Sequence, residues 1–308
     1  MKTLPLLLVA VLLMTATFAS AQSQEEKTAL YTKFTENIKG DADAQKTAYE
    51  QGQEYLRKYG SDNDQYVAYI QKWVTRYEKA DRENEFNKAF NAKNYAKTFE
   101  LGREILNKDG ESLEVLSKLV TAGSLNAEGG NTSLNDDTIA FAKKGLALLD
   151  SGKVTDPKPF TSLEDARGFM NFSVGWIGRE KTPADAAVVL RKAATAGGVY
   201  KNNPSTYVAL ALAITSAEYE PLANEYREKY AGKDVTPESE AMLAKVKAVA
   251  DRIIDSYARA VALSTKPEQQ QYKKQVLDEL TILYKQFNNS SDTGLNELIT
   301  SVLTKPLP

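Results

Sequence analysis

The chain has 308 residues, with 39 Lys and Arg against 41 Asp and Glu, and it contains neither histidine nor cysteine. The missing imidazole and thiol exclude Ser-His-Asp and Cys-His catalysis, His- or Cys-ligated zinc and disulfides, leaving carboxylates, Lys, Tyr, Ser and Thr for any chemistry. The near balance of charge offers no basic surface to a phosphate backbone, so nucleic acid is not an expected partner.

Lys2 precedes an apolar run from Leu4 to Met14 that closes on Ala19-Ser20-Ala21. This is the pattern of a signal peptide over 1–21, with an Ala-x-Ala cleavage site and a mature chain from about Gln22. A membrane anchor is disfavoured, because a spanning helix needs roughly 20 apolar residues and Thr15 and Thr17 interrupt a shorter run. No cysteine follows to carry a lipid. No later segment is apolar enough to span a bilayer. The expectation is an exported chain, periplasmic or secreted, with no membrane span after cleavage.

From about Glu25 to Pro308 the apolar residues keep helical spacing, and no run of alternating β-branched residues interrupts them, which predicts an all-α fold. A first amphipathic segment over 25–39 ends at Gly40, and Asp41 or Asp43 caps a second that stops before Gly60. Ser61 or Asp62 starts the next, whose Tyr66, Tyr69, Ile70, Trp73 and Tyr77 share one side. Arg82 to Ala92 reads as the first arm of a hairpin, joined through Lys93-Asn94 to Tyr95–Asn107, with Asp109-Gly110 as the stop. A helix over 112–125 precedes the polar loop 126–136, after which Asp136 or Asp137 caps a helix ending at Gly152. The stretch 151–161 carries Pro157 and Pro159 and forms a second long connection.

Further helices are predicted over 162–179, 183–196 behind Pro183, 205–216 behind Pro204, and 219–230. Thr236-Pro237-Glu238 is a strong start, combining a capping hydroxyl, a first-turn proline and acids near the positive end of the helix dipole. The helix it opens, reaching about Ser264, is expected to be the longest. Pro267 opens its antiparallel partner, and a last helix covers 293–304.

A pattern of small and bulkier residues recurs: Thr98, Gly102, Ile105, Leu106; Ala140, Lys144, Ala147, Leu148; Ala187, Arg191, Ala194; and Ile253, Tyr257, Ala260, Val261. Stacked helical hairpins need such a stripe, since each can cover its apolar face only with a neighbour. At these residues the chain resembles tetratricopeptide (TPR) repeats, best over Phe86, Phe90, Tyr95, Thr98, Gly102, Ile105, Leu106 and again over Ile253–Val261 with Pro267. The spacing departs from the family, Thr98 and Ala140 and then Ala140 and Ala187 being farther apart than the roughly 34 residues of a regular unit. The resemblance implies one TPR-like α-solenoid domain over 22–308 that holds a protein or peptide in a helical groove.

Three residues are singled out for partner contact. Tyr66, Tyr69 and Trp73 belong to the densest aromatic group, with Tyr55, Tyr59 and Tyr77; their spacing also suits a core, and Tyr66 and Tyr69 are the two expected to reach solvent. Asp62-Asn63-Asp64 and Asn135-Asp136-Asp137 lack the glycine and glutamate of a calcium loop and read as helix caps. No cofactor or metal is expected. The favoured reading is a monomeric, non-enzymatic binding or scaffolding protein. The alternative is a carboxylate-pair hydrolase of glycans or cell-wall material, for which Glu164-Asp165 and Glu218 with Glu220 are the available acids.

Overall fold

The computed structural model describes residues 24–308, and every regular element among them is helical. The signal-peptide reading of 1–21 and the start at Gln22 lie outside the described residues. Among these, no helix is long and apolar enough to cross a membrane.

Most helices begin where the sequence places a capping side chain. Helix α1 covers 24–37. Helix α2 (Ala42–Tyr59) starts behind Asp41, whose carboxylate accepts from the Ala44 N–H at 3.0 Å. Helix α3 (Gln65–Asn91) follows a 3₁₀ turn, and Asn94 caps α4 (Tyr95–Lys108). Ser112 and Ser162 cap α5 (Leu113–Glu128) and α7 (Leu163–Gly178), with α6 (Asn135–Asp150) between them. Prolines open α8 (Pro183–Thr195) and α9 (Pro204–Ile214). Beyond α10 (Glu220–Tyr230), Thr236 and Ser239 form a reciprocal capping box at the head of α11 (Pro237–Leu263). Helices α12 (Gln270–Phe287) and α13 (Leu295–Ser301) complete the set.

The contacts divide the chain into two units between Lys88 and Ala89, within the last turn of α3. In the first unit α1, α2 and α3 meet around Phe34, Tyr55 and Ile70, which are almost wholly buried, with Leu30, Ala48 and Val74 around them. Gly52 allows this approach: a Cβ there would lie 3.0 Å from Val74 and 3.3 Å from Phe34 and Ile70.

In the second unit consecutive helices pack on one another from α4 to α9, after which α9 and α12 flank α11. A glycine on one helix repeatedly seats a larger side chain of its successor. Gly102 of α4 lies under Leu119 of α5, with 2.7 Å from a would-be Cβ to the leucine. Gly145 of α6 lies under Met170 of α7 at 2.8 Å, and the same closeness joins Gly123 to Thr138 and Gly175 to Leu190. A methyl group at any of these positions would force the pair of helices apart. The larger core farther along gathers Leu190, Tyr207, Leu210, Ile214, Ile253 and Ala260.

Several sequence expectations are corrected. Arg82–Ala92 is not a separate arm, because α3 runs unbroken from Gln65 and equals α11 at 27 residues. Its cap is Asp64, which accepts from the Tyr66 and Val67 N–H groups at 2.9 Å each, since Asn63 turns left-handed and ends the preceding 3₁₀ turn. Helix α5 continues to Glu128, which shortens the loop expected over 126–136. Neither Asp136 nor Asp137 caps α6; both lie in its first turn, where a negative charge still favours the helix dipole.

The second copy of the recurring pattern is out of phase: Ala140, Lys144 and Ala147 are exposed, while Thr138, Phe141, Ala142, Gly145 and Leu149 are buried. Alanine suits either face of a helix, so the bulkier Phe141 and Leu149 set the phase. The segments expected over 205–216 and 219–230 join into one continuous run, α9 passing to α10 through a π turn over Thr215–Tyr219. Pro221 has no N–H to continue the ladder, and the Glu220 N–H reaches back to the Thr215 carbonyl.

Candidate binding surface

The singled-out residues lie on α3 of the first unit. Residues 66, 69 and 73 are spaced by three and four, which brings their side chains to one face. Tyr66 meets Tyr31 of α1 edge-on, with centroids 4.7 Å apart. Tyr69 meets Phe34 at 6.0 Å and Trp73 meets the same ring at 5.3 Å, both nearly perpendicular. Such edge-to-face pairs set the positive rim of one ring against the negative face of another, adding about 0.5–1.5 kcal/mol each beyond area burial. Phe34 is wholly buried, whereas Tyr66 and Tyr69 are each 42% exposed. The two tyrosines expected to reach solvent do so, and Trp73 is half-buried between them and the core.

The strip continues past Trp73. Its indole stacks on Tyr77 at 5.3 Å, and Tyr77 stacks on Tyr49 of α2 at 4.8 Å. The Tyr49 hydroxyl donates to Glu78 at 3.0 Å and accepts from the Gln53 amide at 2.6 Å, which fixes the last ring in place. Burial and the Glu78 bond raise the Tyr49 pKa, so it remains a donor across the physiological range.

At the other end a lysine locks the turn between α2 and α3 onto α1. The Lys27 ammonium donates to Asp62 and, at 2.9 Å, to Asp64, and it lies 5.9 and 5.6 Å from the Tyr55 and Tyr59 ring centres. The bonds to Asp62 and Asp64 push the lysine pKa up, and the Val67 N–H followed by Lys27 holds the Asp64 carboxyl down. Asp62-Asn63-Asp64 is therefore engaged as a cap and an ion pair. Beside Lys27 a cavity of about 230 Å³ opens between Tyr31, Tyr55 and Tyr66.

Of the acids considered for hydrolysis, all in the second unit, Glu164 and Glu220 are exposed, while Glu218 and Asp165 are engaged by partners. Glu218 pairs with Arg252 at 2.6 Å. Asp165 is buried; one oxygen accepts from the Thr161 hydroxyl and the other from the Val199 N–H at 2.6 Å. Those two bonds keep its pKa below the ordinary carboxylate value, which suits an acceptor that ties two loops together and opposes a role as proton donor. Asp136 and Asp137 pair with Lys181 and Arg103. The connection over 151–161 is anchored by Phe160 on Phe169, with centroids 5.3 Å apart, and Val154 and Asp156 border a cleft with Ser112 and Glu114. Among the described residues no three Asp or Glu side chains converge as a metal site would require.

The sequence reading missed Tyr31 and Phe34, the two α1 rings that brace the exposed tyrosines. Their spacing of three was the available signal. Compared with known protein families, curated proteins and solved structures, the chain matches none.

Proposed function

We propose that this protein is an exported, monomeric binding or scaffolding module built from TPR-like helical hairpins, and that it takes a peptide or protein segment across the aromatic face of α3. The observation that carries this reading is the pair Tyr66 and Tyr69, solvent-facing yet braced edge-on by Tyr31 and Phe34. Rings already held in place lose little side-chain entropy when a partner lands on them, and an amphipathic tyrosine offers both a flat apolar face and a hydroxyl. The TPR-like reading is supported by the second unit, where helices pack in chain order and a small residue on one seats a large residue of the next. Export rests on the signal-peptide pattern over 1–21, and the balanced charge of the chain favours a partner read by shape and stacking over one held by a strong field.

The test is selection of a displayed random-peptide library on the purified protein, followed by measurement of the enriched peptides on wild type and on the double variant Tyr66→Ala/Tyr69→Ala. Loss of two braced rings is expected to weaken binding at least about tenfold, the effect of aromatic anchors at an interface. Equal affinity for both proteins, or no enrichment at all, would refute the assignment.

A further inference from the structure

A second site, independent of the aromatic face, is built around Arg259 in the second unit. This residue sits in the apolar stripe of α11 between Ala258 and Ala260, both wholly buried, and is itself 5% exposed. Its Nε donates to Asp255 one turn earlier at 2.6 Å. Its Nη2 donates to two consecutive backbone carbonyls, those of Lys305 and Pro306, at 2.9 Å each. Arg191 of α8 donates to a third main-chain oxygen in the same stretch, that of Pro308.

The segment so held is extended at Lys305, with φ −103° and ψ 150°. Val302, wholly buried, anchors the chain just before it, and Leu303 and Thr304 are exposed. Beyond them the side chains of Lys305, Pro306 and Pro308 face solvent, and Leu307 alone leans on the core. The seat therefore grips main-chain oxygens and one leucine, and takes nothing from the other side chains.

Asp255 takes both Nε and, at 3.4 Å, Nη2, and the two carbonyls complete the acceptors of Nη2, which water would have to supply if the segment left. The groove is thus built to be filled by an extended backbone, and its demand is chemical rather than tied to residues 305–308. We propose that the groove formed by Arg259, Arg191 and the core beneath Leu307 is a peptide-binding site for extended segments that present one leucine, which the chain's own residues 305–308 occupy until a competing segment displaces them. The tethered segment acts as an internal competitor at an effective concentration in the millimolar range, so a visiting peptide must bind more tightly or arrive at high local density.

The experiment uses the full-length protein and a fluorescent peptide with the sequence of residues 303–308, followed by anisotropy. In the variant Leu307→Asp the tethered segment loses its apolar anchor, and saturable binding of the peptide is expected, at least about tenfold tighter than to wild type, where the tether competes. A peptide with aspartate in place of the leucine should bind the same variant at least about tenfold more weakly, as expected when a buried apolar anchor is lost. Thermal melting establishes that the variant is folded; should it not be, Leu307→Ser supplies the milder loosening for the same titration. Absence of saturable binding to the folded variant, equal affinity for wild type and variant, or indifference to the leucine would each overturn the proposal.

Discussion

The Thr138 side chain of α6 occupies the space above Gly123 of α5 that a Cβ would need. Thr138 is wholly buried, and its hydroxyl, the group nearest that space, donates to the Leu134 carbonyl at 2.6 Å. Gly123→Ala should gain up to about 1 kcal/mol of helix propensity and lose about 1–3 kcal/mol to overpacking, so the net effect is destabilising. Combining it with Thr138→Ala should recover part of the loss, giving a coupling of at least about 0.5 kcal/mol in a urea-unfolding double-mutant cycle. Strict additivity would show that the two positions do not touch.

Phe34 and the tyrosines it braces are expected to separate cleanly in stability measurements. Phe34→Ala removes the wholly buried centre of the first unit and should cost about 3–5 kcal/mol. Tyr66→Ala and Tyr69→Ala remove half-solvated rings with one edge contact apiece and should each cost no more than about 1.5 kcal/mol. Thermal unfolding of the three single variants decides it. A Tyr66 or Tyr69 variant as damaged as Phe34→Ala would make that tyrosine a core residue and remove it from the binding surface.

Asp165 predicts an acid-dependent stability. The Thr161 hydroxyl first, and then the Val199 N–H, lower its folded-state pKa below the ordinary 3.8. A depressed carboxylate contributes fully above the unfolded value and loses that contribution as pH falls through the folded one. Asp165→Asn keeps the shape but turns charge-assisted bonds into neutral ones, a loss of about 1–2 kcal/mol near neutral pH. Urea unfolding of both proteins should show a constant gap from about pH 7 to pH 5 that narrows below about pH 4. A gap of the same size in strong acid would mean that the charge of Asp165 contributes nothing.

The helix starts were readable because each is a local chemical statement. Thr236-Pro237, Ser112, Ser162, Pro183 and Pro204 all mark the onset of a helix, each through a capping oxygen or a preset backbone angle. Misreadings arose where two faces of a helix were chemically alike or where the deciding contact was distant. Alanines at 140 and 147 resembled the seam, but the glycine at 145 and its partner Met170 define it, and nothing near position 145 announces a methionine 25 residues on. The stretch from Arg82 to Ala92 read as a separate arm, yet its charged residues are good helix formers and α3 passes unbroken through them to Asn91. At the candidate surface the α3 rings were legible from spacing. Their bracing by Tyr31 and Phe34 was not, because it depends on how α1 lies against α3.

The order in which the helices of the second unit meet has a consequence for how the chain is made. Because consecutive helices from α4 to α9 all pack on one another, many of the contacts that build the core span short stretches of sequence, the condition under which loop-closure entropy is smallest and folding fast. From α5 to α8, each helix leaving the ribosome finds the glycine seat of its predecessor already waiting. Assembly can keep pace with emergence, and little apolar surface need stay uncovered while the rest of the chain is still to come.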